Sequence, residues 1–183
     1  MEANLQGSRT EANLIKWWKA KAVEKMKVTL YQQQAGREAF RQLHLFMGEY
    51  ATNHYVHAAN CHGVLWGAYT DTEKNIEALL KQEHDHAHHT FPEYAKTARD
   101  EGFEEIALAF EAMAKVDAEQ EKKFADILDK IRNDRIFTKD EAQDWYCTQC
   151  GHVHHDMIAP ETCPLCRADR RFNELKGANF CVF

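Results

Sequence analysis

The chain is poor in the residues that interrupt helices. Only three prolines and eight glycines occur among its 183 residues, whereas Ala, Glu, Lys and Leu, which favour helix, are abundant. This balance predicts long, uninterrupted helices and little sheet. Hydrophobic residues make up 44% and charged residues 28% of the chain, which is typical of a globular protein.

Further absences exclude whole classes of function. No apolar run approaches the roughly 18 residues that a membrane-spanning helix needs, and the first residues lack the basic and apolar regions of a signal peptide. No basic run is present, and the net charge is −6, so nothing favours binding to nucleic-acid phosphates. Six cysteines, most of them in motifs of the metal-binding kind, fit a reducing compartment. We therefore expect a cytoplasmic protein that binds neither membrane nor nucleic acid.

Four of the cysteines form two C-x-x-C pairs near the end of the chain. The first pair is Cys147 and Cys150, followed by Gly151, and the second is Cys163 and Cys166. Two such pairs joined by a short polar loop can place four thiolates at the corners of a tetrahedron, which suits Fe or Zn and excludes Mg or Ca. Two disulfides are a poorer interpretation of this spacing.

Upstream of the cysteines, apolar residues recur at helical spacing in four successive segments. The predicted helices run from Ser8 to about Gly36, from Glu38 to Asn60, from Thr70 or Asp71 to just before Gly102 with a bend at Pro92, and from Phe103 to Ile131. Four long amphipathic helices in a row predict a four-helix bundle. The predicted domains are the bundle (1–135), a linker (136–143) and the cysteine module (144–183).

Each predicted helix carries a pair of polar residues, three positions apart, in line with its apolar stripe. The pairs are Lys21 and Glu24, His54 and His57, Glu83 and His86, and Asp117 and Gln120. Burying so many polar groups without partners would cost about 2 kcal/mol or more each. The pattern therefore predicts that the bundle encloses a metal ion or a dense hydrogen-bond network. Three neighbouring histidines, His84, His88 and His89, are interpreted as a solvated face.

The chain resembles the rubrerythrin family. The resemblance is clearest in residues 7–13 (GSRTEAN), in residues 91–107, which open with FPEYAK, and in residues 144–166, from Asp-Trp-Tyr-Cys to the last cysteine. It implies an all-α, ferritin-like four-helix bundle with a carboxylate-bridged di-iron site, followed by a small rubredoxin-like domain in which four cysteines hold iron. It also implies reduction of hydrogen peroxide with electrons relayed through the cysteine-bound iron, and an electron donor such as an NAD(P)H-dependent rubredoxin reductase.

The predicted bundle ligands depart from the pattern of that family. Lys21 stands where the family has a Glu on the first helix, and the family's Glu-x-x-His, Glu-x-x-Glu and Glu-x-x-His become His54-x-x-His57, Glu83-x-x-His86 and Asp117-x-x-Gln120. Two divalent ions would be under-compensated in a low-dielectric core with so few carboxylates. We therefore expect one divalent ion, Fe, Zn or another, held by His54, His57, Glu83, His86 and Asp117.

Several alternatives stay open. The chain can be a non-catalytic paralogue that carries electrons or binds or senses metal, or its core can be metal-free, with Lys21 paired to Glu83 or Asp117. The cysteine module can be a structural zinc ribbon, although Trp145, Tyr146 and Phe172 match the aromatic residues that shield a rubredoxin iron.

The connection between the second and third helices is short. The family's connection is long because it joins parallel helices, whereas about ten residues here reach roughly 33 Å. We expect a homodimer, in which exchange of helical hairpins between chains is one way to relieve a short connection.

Overall fold

Four long helical stretches precede a small sheet. The computed structural model describes residues 4–67 and 71–177. Its elements are α1 (Arg9–Arg37), α2 (Arg41–Trp66), α3 (Thr72–Asp85), a π-helical segment (His86–Thr90), α4 (Phe91–Asp100), α5 (Glu104–Arg132), β1 (Thr138–Cys147), β2 (Val153–Ile158) and β3 (Asn173–Leu175). The chain divides into two units, residues 1–70 and 71–183. Within the described ranges, no helix has both the length and the apolar character needed to cross a membrane.

The first unit is a hairpin of α1 and α2. Ser8 caps α1, because its hydroxyl oxygen accepts a hydrogen bond from the Glu11 N–H at 3.0 Å. The Glu11 carboxylate in turn accepts one from the Gly7 N–H at 2.6 Å, close to the predicted capping box. At the other end of the hairpin, His44 Nδ1 donates to the Gln32 carbonyl oxygen at 2.9 Å, which joins α2 to α1.

The predicted end of the second helix is wrong, because residues 61–66 continue α2 rather than form a connection. The helix ends at Gly67, which has a φ of 83°. Packing explains the extension: Cys61 is buried, and the Trp66 ring lies 5.1 Å from the Trp18 ring of α1 in an edge-to-face contact. These contacts outweigh the roughly 1 kcal/mol by which Gly63 destabilises the interior of this helix.

The second unit begins at the cap of α3. Asp71 accepts a hydrogen bond from the Lys74 N–H at 2.9 Å, so Asp71 is the N-cap. Thr70, the other predicted start of this helix, lies outside the described residues.

A π-helical segment joins α3 to α4 just before Pro92, where the sequence predicts a bend. The Phe91 N–H donates to the His86 carbonyl oxygen, one residue further back than in an α-helix. Pro92 follows, and its ring nitrogen has no hydrogen to donate. The wider turn accommodates the proline without ending the helical stretch.

Small residues bring α4 and α5 together. Ala95, Ala98 and Ala107 form a buried cluster, against which Phe110 packs. Between the two helices, Gly102 has a φ of 85°, a left-handed conformation that only glycine adopts without strain. Close packing of this kind leaves no room for a larger side chain at the centre.

The second unit ends in a three-stranded antiparallel sheet with the order β2-β1-β3. Trp145 on the central strand is almost completely buried, and its indole N–H donates to the Asp156 carbonyl oxygen at 3.0 Å. β1 begins at Thr138, so strand structure extends into the segment 136–143. The boundaries of the domains themselves stay a prediction.

We predict that Ala107→Leu destabilises the second unit. Ala107 is completely buried, and inserting a larger side chain into a close-packed site costs about 1–3 kcal/mol. The matched control is Ala112→Leu, at an exposed position of the same helix. Thermal unfolding followed by circular dichroism should show a lower midpoint for the first variant and an unchanged midpoint for the second. Equal midpoints would contradict the packing described here.

Candidate metal centres

The four predicted cysteine ligands converge. The sulfur of Cys147 lies 3.7 Å from that of Cys166, and the sulfur of Cys150 lies 3.7 Å from that of Cys163. All four sulfurs lie within 4.8 Å of one another. A tetrahedral ion with metal–sulfur bonds of about 2.3 Å separates its ligands by about 3.8 Å, whereas a disulfide would need about 2.05 Å. The cluster therefore fits one thiolate-bound ion, and these cysteines are free thiols.

Two turns with the same hydrogen bonds hold the sulfurs in place. In the first, the Cys147 N–H donates to the His152 carbonyl oxygen at 2.9 Å and the Gly151 N–H donates to the Cys147 carbonyl oxygen at 2.8 Å. The second turn repeats both bonds at the same spacing, from Cys163 to Ala168 at 2.8 Å and from Arg167 to Cys163 at 3.0 Å. The module is thus a duplicated cysteine knuckle.

The two knuckles differ at one backbone position. Gly151 has a φ of 79°, which glycine adopts freely. Its counterpart in the second knuckle is Arg167, with a φ of 63°, where a side chain costs roughly 1 kcal/mol or more. The second knuckle therefore carries backbone strain that the first avoids.

Backbone N–H groups point at the sulfurs and make the thiols unequal. N–H groups of Cys166 and Leu165 lower the pKa of Cys163 to about 6. The His152 N–H also favours the thiolate of Cys150, but partial loss of hydration at its sulfur and hydrogen bonds with the three neighbouring thiols raise its pKa to about 12. A first thiolate is therefore ready for a metal at neutral pH, and the remaining thiols lose their protons as the metal binds.

Burial divides the cluster into an inner and an outer side. Cys147 and Cys163 are completely buried, whereas Cys150 and Cys166 are exposed. Of the aromatic residues predicted to shield the metal, Trp145 is buried, Phe172 is half-buried and Tyr146 is exposed. A metal in this site would therefore be enclosed by protein on the side of Cys147 and Cys163 and lie near solvent on the side of Cys150 and Cys166.

In the first unit, two of the predicted bundle residues, Lys21 and His54, contact Glu24. The Lys21 ammonium donates to the Glu24 carboxylate at 2.7 Å, and this bond is the main reason that the pKa of Glu24 is lowered. Lys21 thus has a carboxylate partner on its own helix, and its pairing with Glu83 or Asp117, in the metal-free alternative, stays a prediction.

His54 is the buried polar residue of this group. Its ring is only 4% exposed. Nδ1 lies 3.1 Å from Glu24 Oε2, but the angles do not permit a hydrogen bond, so this nitrogen has no hydrogen-bond partner among the described residues. His57 stacks on Trp17 with 5.8 Å between ring centroids. A buried ring nitrogen without a hydrogen bond is costly, which makes His54 a credible ligand.

In the second unit, the structure brings two predicted ligands together. His86 Nδ1 lies 3.4 Å from Asp117 Oδ2, and Glu83 and Gln120 are half-buried nearby in sequence. The five-residue ligand set is thus divided between the units, with His54 and His57 in the first. Its assembly into one site stays a prediction.

A second group of potential ligands lies where the sequence indicated only a solvated face. His84 and His88 contact Glu121 of α5, with nitrogen–oxygen distances of 2.8 and 2.9 Å. His89 remains exposed beside them. The His-x-x-x-His spacing, which places two imidazoles on one side of a helix, is the signal that could have identified the pair. Glu121 is more than 30 positions away, so no local motif includes it.

Comparisons with known proteins agree with these features. The family model described as "Rubrerythrin, rubredoxin-like domain" matches residues 145–173. Rubrerythrin-1 of Clostridium acetobutylicum is 31% identical, with the match covering 97% of this chain and 99% of that protein. Rubrerythrin of Nitratidesulfovibrio vulgaris is also 31% identical, with the same coverage. A solved structure of nigerythrin in a mixed-valence state overlaps 95% of this chain and 90% of its own, at 14% identity and a TM-score of 0.35.

Helices and cysteine module together define the class predicted above, a ferritin-like four-helix protein with a small rubredoxin-like domain. Because the sequence identity extends over nearly the whole chain, the likeness is not confined to the cysteine module. The chain belongs to the rubrerythrin family. It is therefore a metal-binding protein of the rubrerythrin type, and its four-cysteine site suggests iron.

The bundle residues do not fit the carboxylate-bridged iron pair of the family. Where the family pattern has a helix-one carboxylate, this chain has the Lys21 ammonium, which is already bound to Glu24. A cation at a ligand position opposes a second divalent ion through charge repulsion, and that repulsion is strong away from water. The remaining donors are mostly imidazoles, which suit a single Zn, Fe, Ni or Cu ion better than a bridged pair.

We predict opposite effects of substituting the corresponding residues of the two knuckles. Gly151→Ala should destabilise the metal-loaded module by about 1 kcal/mol or more, because alanine is strained at this positive φ. Arg167→Gly should be neutral or stabilise it by up to about 1 kcal/mol by relieving the same strain. The measurement is loss of the iron–thiolate absorbance during urea unfolding. Equal destabilisation by both variants would contradict the backbone strain assigned to Arg167.

Proposed function

We propose that this protein is a rubrerythrin-type non-haem iron oxidoreductase that passes electrons, one at a time, through iron in the four-cysteine site to hydrogen peroxide or oxygen at the bundle. The observation that carries the proposal is the sulfur cluster, with its 3.7 Å edges and its division into buried and exposed sulfurs. Iron held by four thiolates supplies one-electron chemistry with little reorganisation of its ligands.

The residues of the chain support this chemistry in two ways. N–H groups directed at the sulfurs stabilise negative charge on them, which sets the reduction potential together with burial. On the outer side, the exposed Cys150 and Cys166 leave an edge that a donor protein can approach, and Leu165, next to Cys166 in the sequence, is 66% exposed. An NAD(P)H-dependent rubredoxin reductase is the proposed donor.

The proposed acceptor requires two electrons. Hydrogen peroxide, two protons and two electrons give two water molecules, so the one-electron centre must be oxidised and reduced twice for each peroxide consumed. His86 Nδ1 lies 3.4 Å from Asp117 Oδ2, and both side chains belong to the proposed ligand set. We propose that one divalent ion, rather than two, is held by His54, His57, Glu83, His86 and Asp117.

One observation favours a second candidate function. The ion pair between Lys21 and Glu24 satisfies polar groups of the bundle without any metal. A chain whose bundle no longer supports peroxide chemistry would act as an electron carrier or a metal-binding or sensing protein, with the cysteine module intact. The two functions differ in turnover, not in the ability to accept an electron.

We predict peroxide consumption by the iron-loaded full chain when NADH and a rubredoxin reductase are supplied. Cys150→Ser with Cys166→Ser removes the exposed ligands of the relay and should reduce the rate at least tenfold, roughly the effect of disturbing a metal's ligand shell. His86→Gln with Asp117→Asn should abolish turnover while leaving reduction of the cysteine-bound iron unchanged.

Controls for this assay separate the candidate functions. If the wild-type chain is reduced but consumes no peroxide above the His86→Gln, Asp117→Asn variant, the carrier function is correct and the oxidoreductase proposal is wrong. Metal analysis should give one bundle ion per chain beyond the cysteine-bound iron. Two bundle irons would contradict the single-ion proposal.

We also propose that the protein is a homodimer whose hairpins are exchanged between chains. Large apolar side chains are exposed on the helices of both units, among them Met26, Phe46 and Val116, and extensive exposed apolar surface is unusual for a monomer. α2 ends at Trp66 and α3 begins at Thr72, so the connection can extend over about 22 Å at most. A crossover along the whole of a 26-residue helix such as α2 would need about 39 Å.

A mixed dimer tests the exchange. One chain carries His54→Gln with His57→Gln, and the other, with a different affinity tag, carries His86→Gln with Asp117→Asn. If hairpins are exchanged, one of the two sites receives both altered halves and the other is wild type, so the mixed dimer should bind one bundle ion. Without exchange, both sites are altered and no bundle ion should bind. A monomer in light scattering would overturn the proposal outright.

A further inference from the structure

The contact between α3, the π-helical segment and α5 contains a group that neither the cysteine module nor the predicted bundle site uses. His84 Nδ1 lies 2.8 Å from Glu121 Oε1, and His88 Nε2 lies 2.9 Å from Glu121 Oε2. The two imidazole rings are 4.6 Å apart. Three potential metal ligands from two helices thus meet, each offering an atom within 4.8 Å of the others.

The same helices make a contact of identical spacing eleven residues away. There, Arg132 of α5 lies between Glu73 and Glu77 of α3, with distances of 2.8 and 3.0 Å. Glu121 occupies the corresponding place between His84 and His88. The helix pair therefore positions residues four apart on one helix around one side chain of the other, and this regular packing holds the ligands in place without a metal.

The charges at the two contacts are different. Arg132 is compensated by two carboxylates. Glu121 has no lysine or arginine within 4.0 Å among the described residues, and both of its oxygens face imidazoles. The hydrogen bond with His84 lowers the pKa of Glu121 most, and the one with His88 lowers it further. The carboxylate is therefore ionised at neutral pH. With only imidazoles within reach of its two oxygens, Glu121 is placed to share a divalent cation with both rings.

The geometry is suited to a small divalent ion. Two ligand atoms of a tetrahedral zinc ion with bonds of about 2.0–2.1 Å lie about 3.4 Å apart. The nitrogen–oxygen hydrogen bonds of 2.8 and 2.9 Å found here would therefore lengthen by about 0.5 Å when an ion takes the place of the shared protons. The side chains of His84 and His88 are 51% and 48% exposed, so water can complete the coordination. Two imidazoles with one carboxylate are a known ligand set for zinc and for iron(II) with open positions.

We propose that His84, His88 and Glu121 form a separate binding site for a divalent first-row transition-metal ion of the zinc type. The site lies within the second unit and needs neither the cysteine ligands nor the residues at the family's ligand positions. It does not depend on the proposed oxidoreductase function, because the ligands belong to helices that the fold brings into contact in any case.

Zinc titration of the full chain, with its cysteine site already loaded with iron, tests the proposal. Calorimetry and metal analysis should show one more zinc per chain in the wild type than in His84→Gln with His88→Gln. Glu121→Gln, which keeps the shape of the side chain, should weaken this binding at least tenfold. The matched control is His89→Gln, because His89 lies beside His84, with 5.9 Å between ring centroids, but outside the ligand group.

A second measurement needs no variant. Diethylpyrocarbonate modifies accessible imidazoles, and mass spectrometry should show that zinc protects His84 and His88 but leaves His89 reactive. Equal zinc stoichiometry in the wild type and the double variant would overturn the proposal, as would equal loss on His89→Gln. Unprotected modification of His84 and His88 at saturating zinc would also overturn it, and would leave the three side chains as an ordinary ion-pair contact.

Discussion

The cysteine module depends on holding four sulfur atoms close together. Thiolates at 3.7 Å repel one another, and the three strands of 10, 6 and 3 residues offer little apolar surface to oppose that repulsion. N–H groups of the two knuckles and the ion between the sulfurs must therefore supply most of the compensation. Trp145 provides the one large, fully buried side chain among these strands. Folding and metal binding are consequently coupled in this part of the chain.

The features that the sequence predicts well are those encoded locally. Two C-x-x-C pairs specify their own turns, and Ser8 with Glu11 specifies a helix start. The end of α2 could not be predicted, because packing of Trp66 on Trp18 depends on residues nearly 50 positions apart. Glu121 was missed for the same reason: a carboxylate near two histidines in space has no signature near them in sequence. The ion pair of Lys21 and Glu24 is local as well, because the two residues lie one turn apart on the same helix.

Under the single-ion proposal, the bundle positions carry a different metal chemistry on the helices of a family scaffold. Replacing carboxylates by imidazoles and an ammonium keeps these positions polar but reduces the charge that is available to cations. The helix contacts that define the hairpins involve other residues, such as Ala95, Ala98 and Ala107. Fold and ligand chemistry are therefore separable here, and family membership alone does not determine which ions the bundle holds.

The regular contact between α3 and α5 has a consequence for how such a protein can diversify. An arginine between two carboxylates and a carboxylate between two histidines occupy equivalent places, three helical turns apart. Each of the two contacts consists of only three side chains, so exchanging them requires no change in the helix backbones. The contact between these helices thus offers equivalent positions at regular intervals. At each of them, a few substitutions convert a structural ion pair into a binding position for a cation, or the reverse.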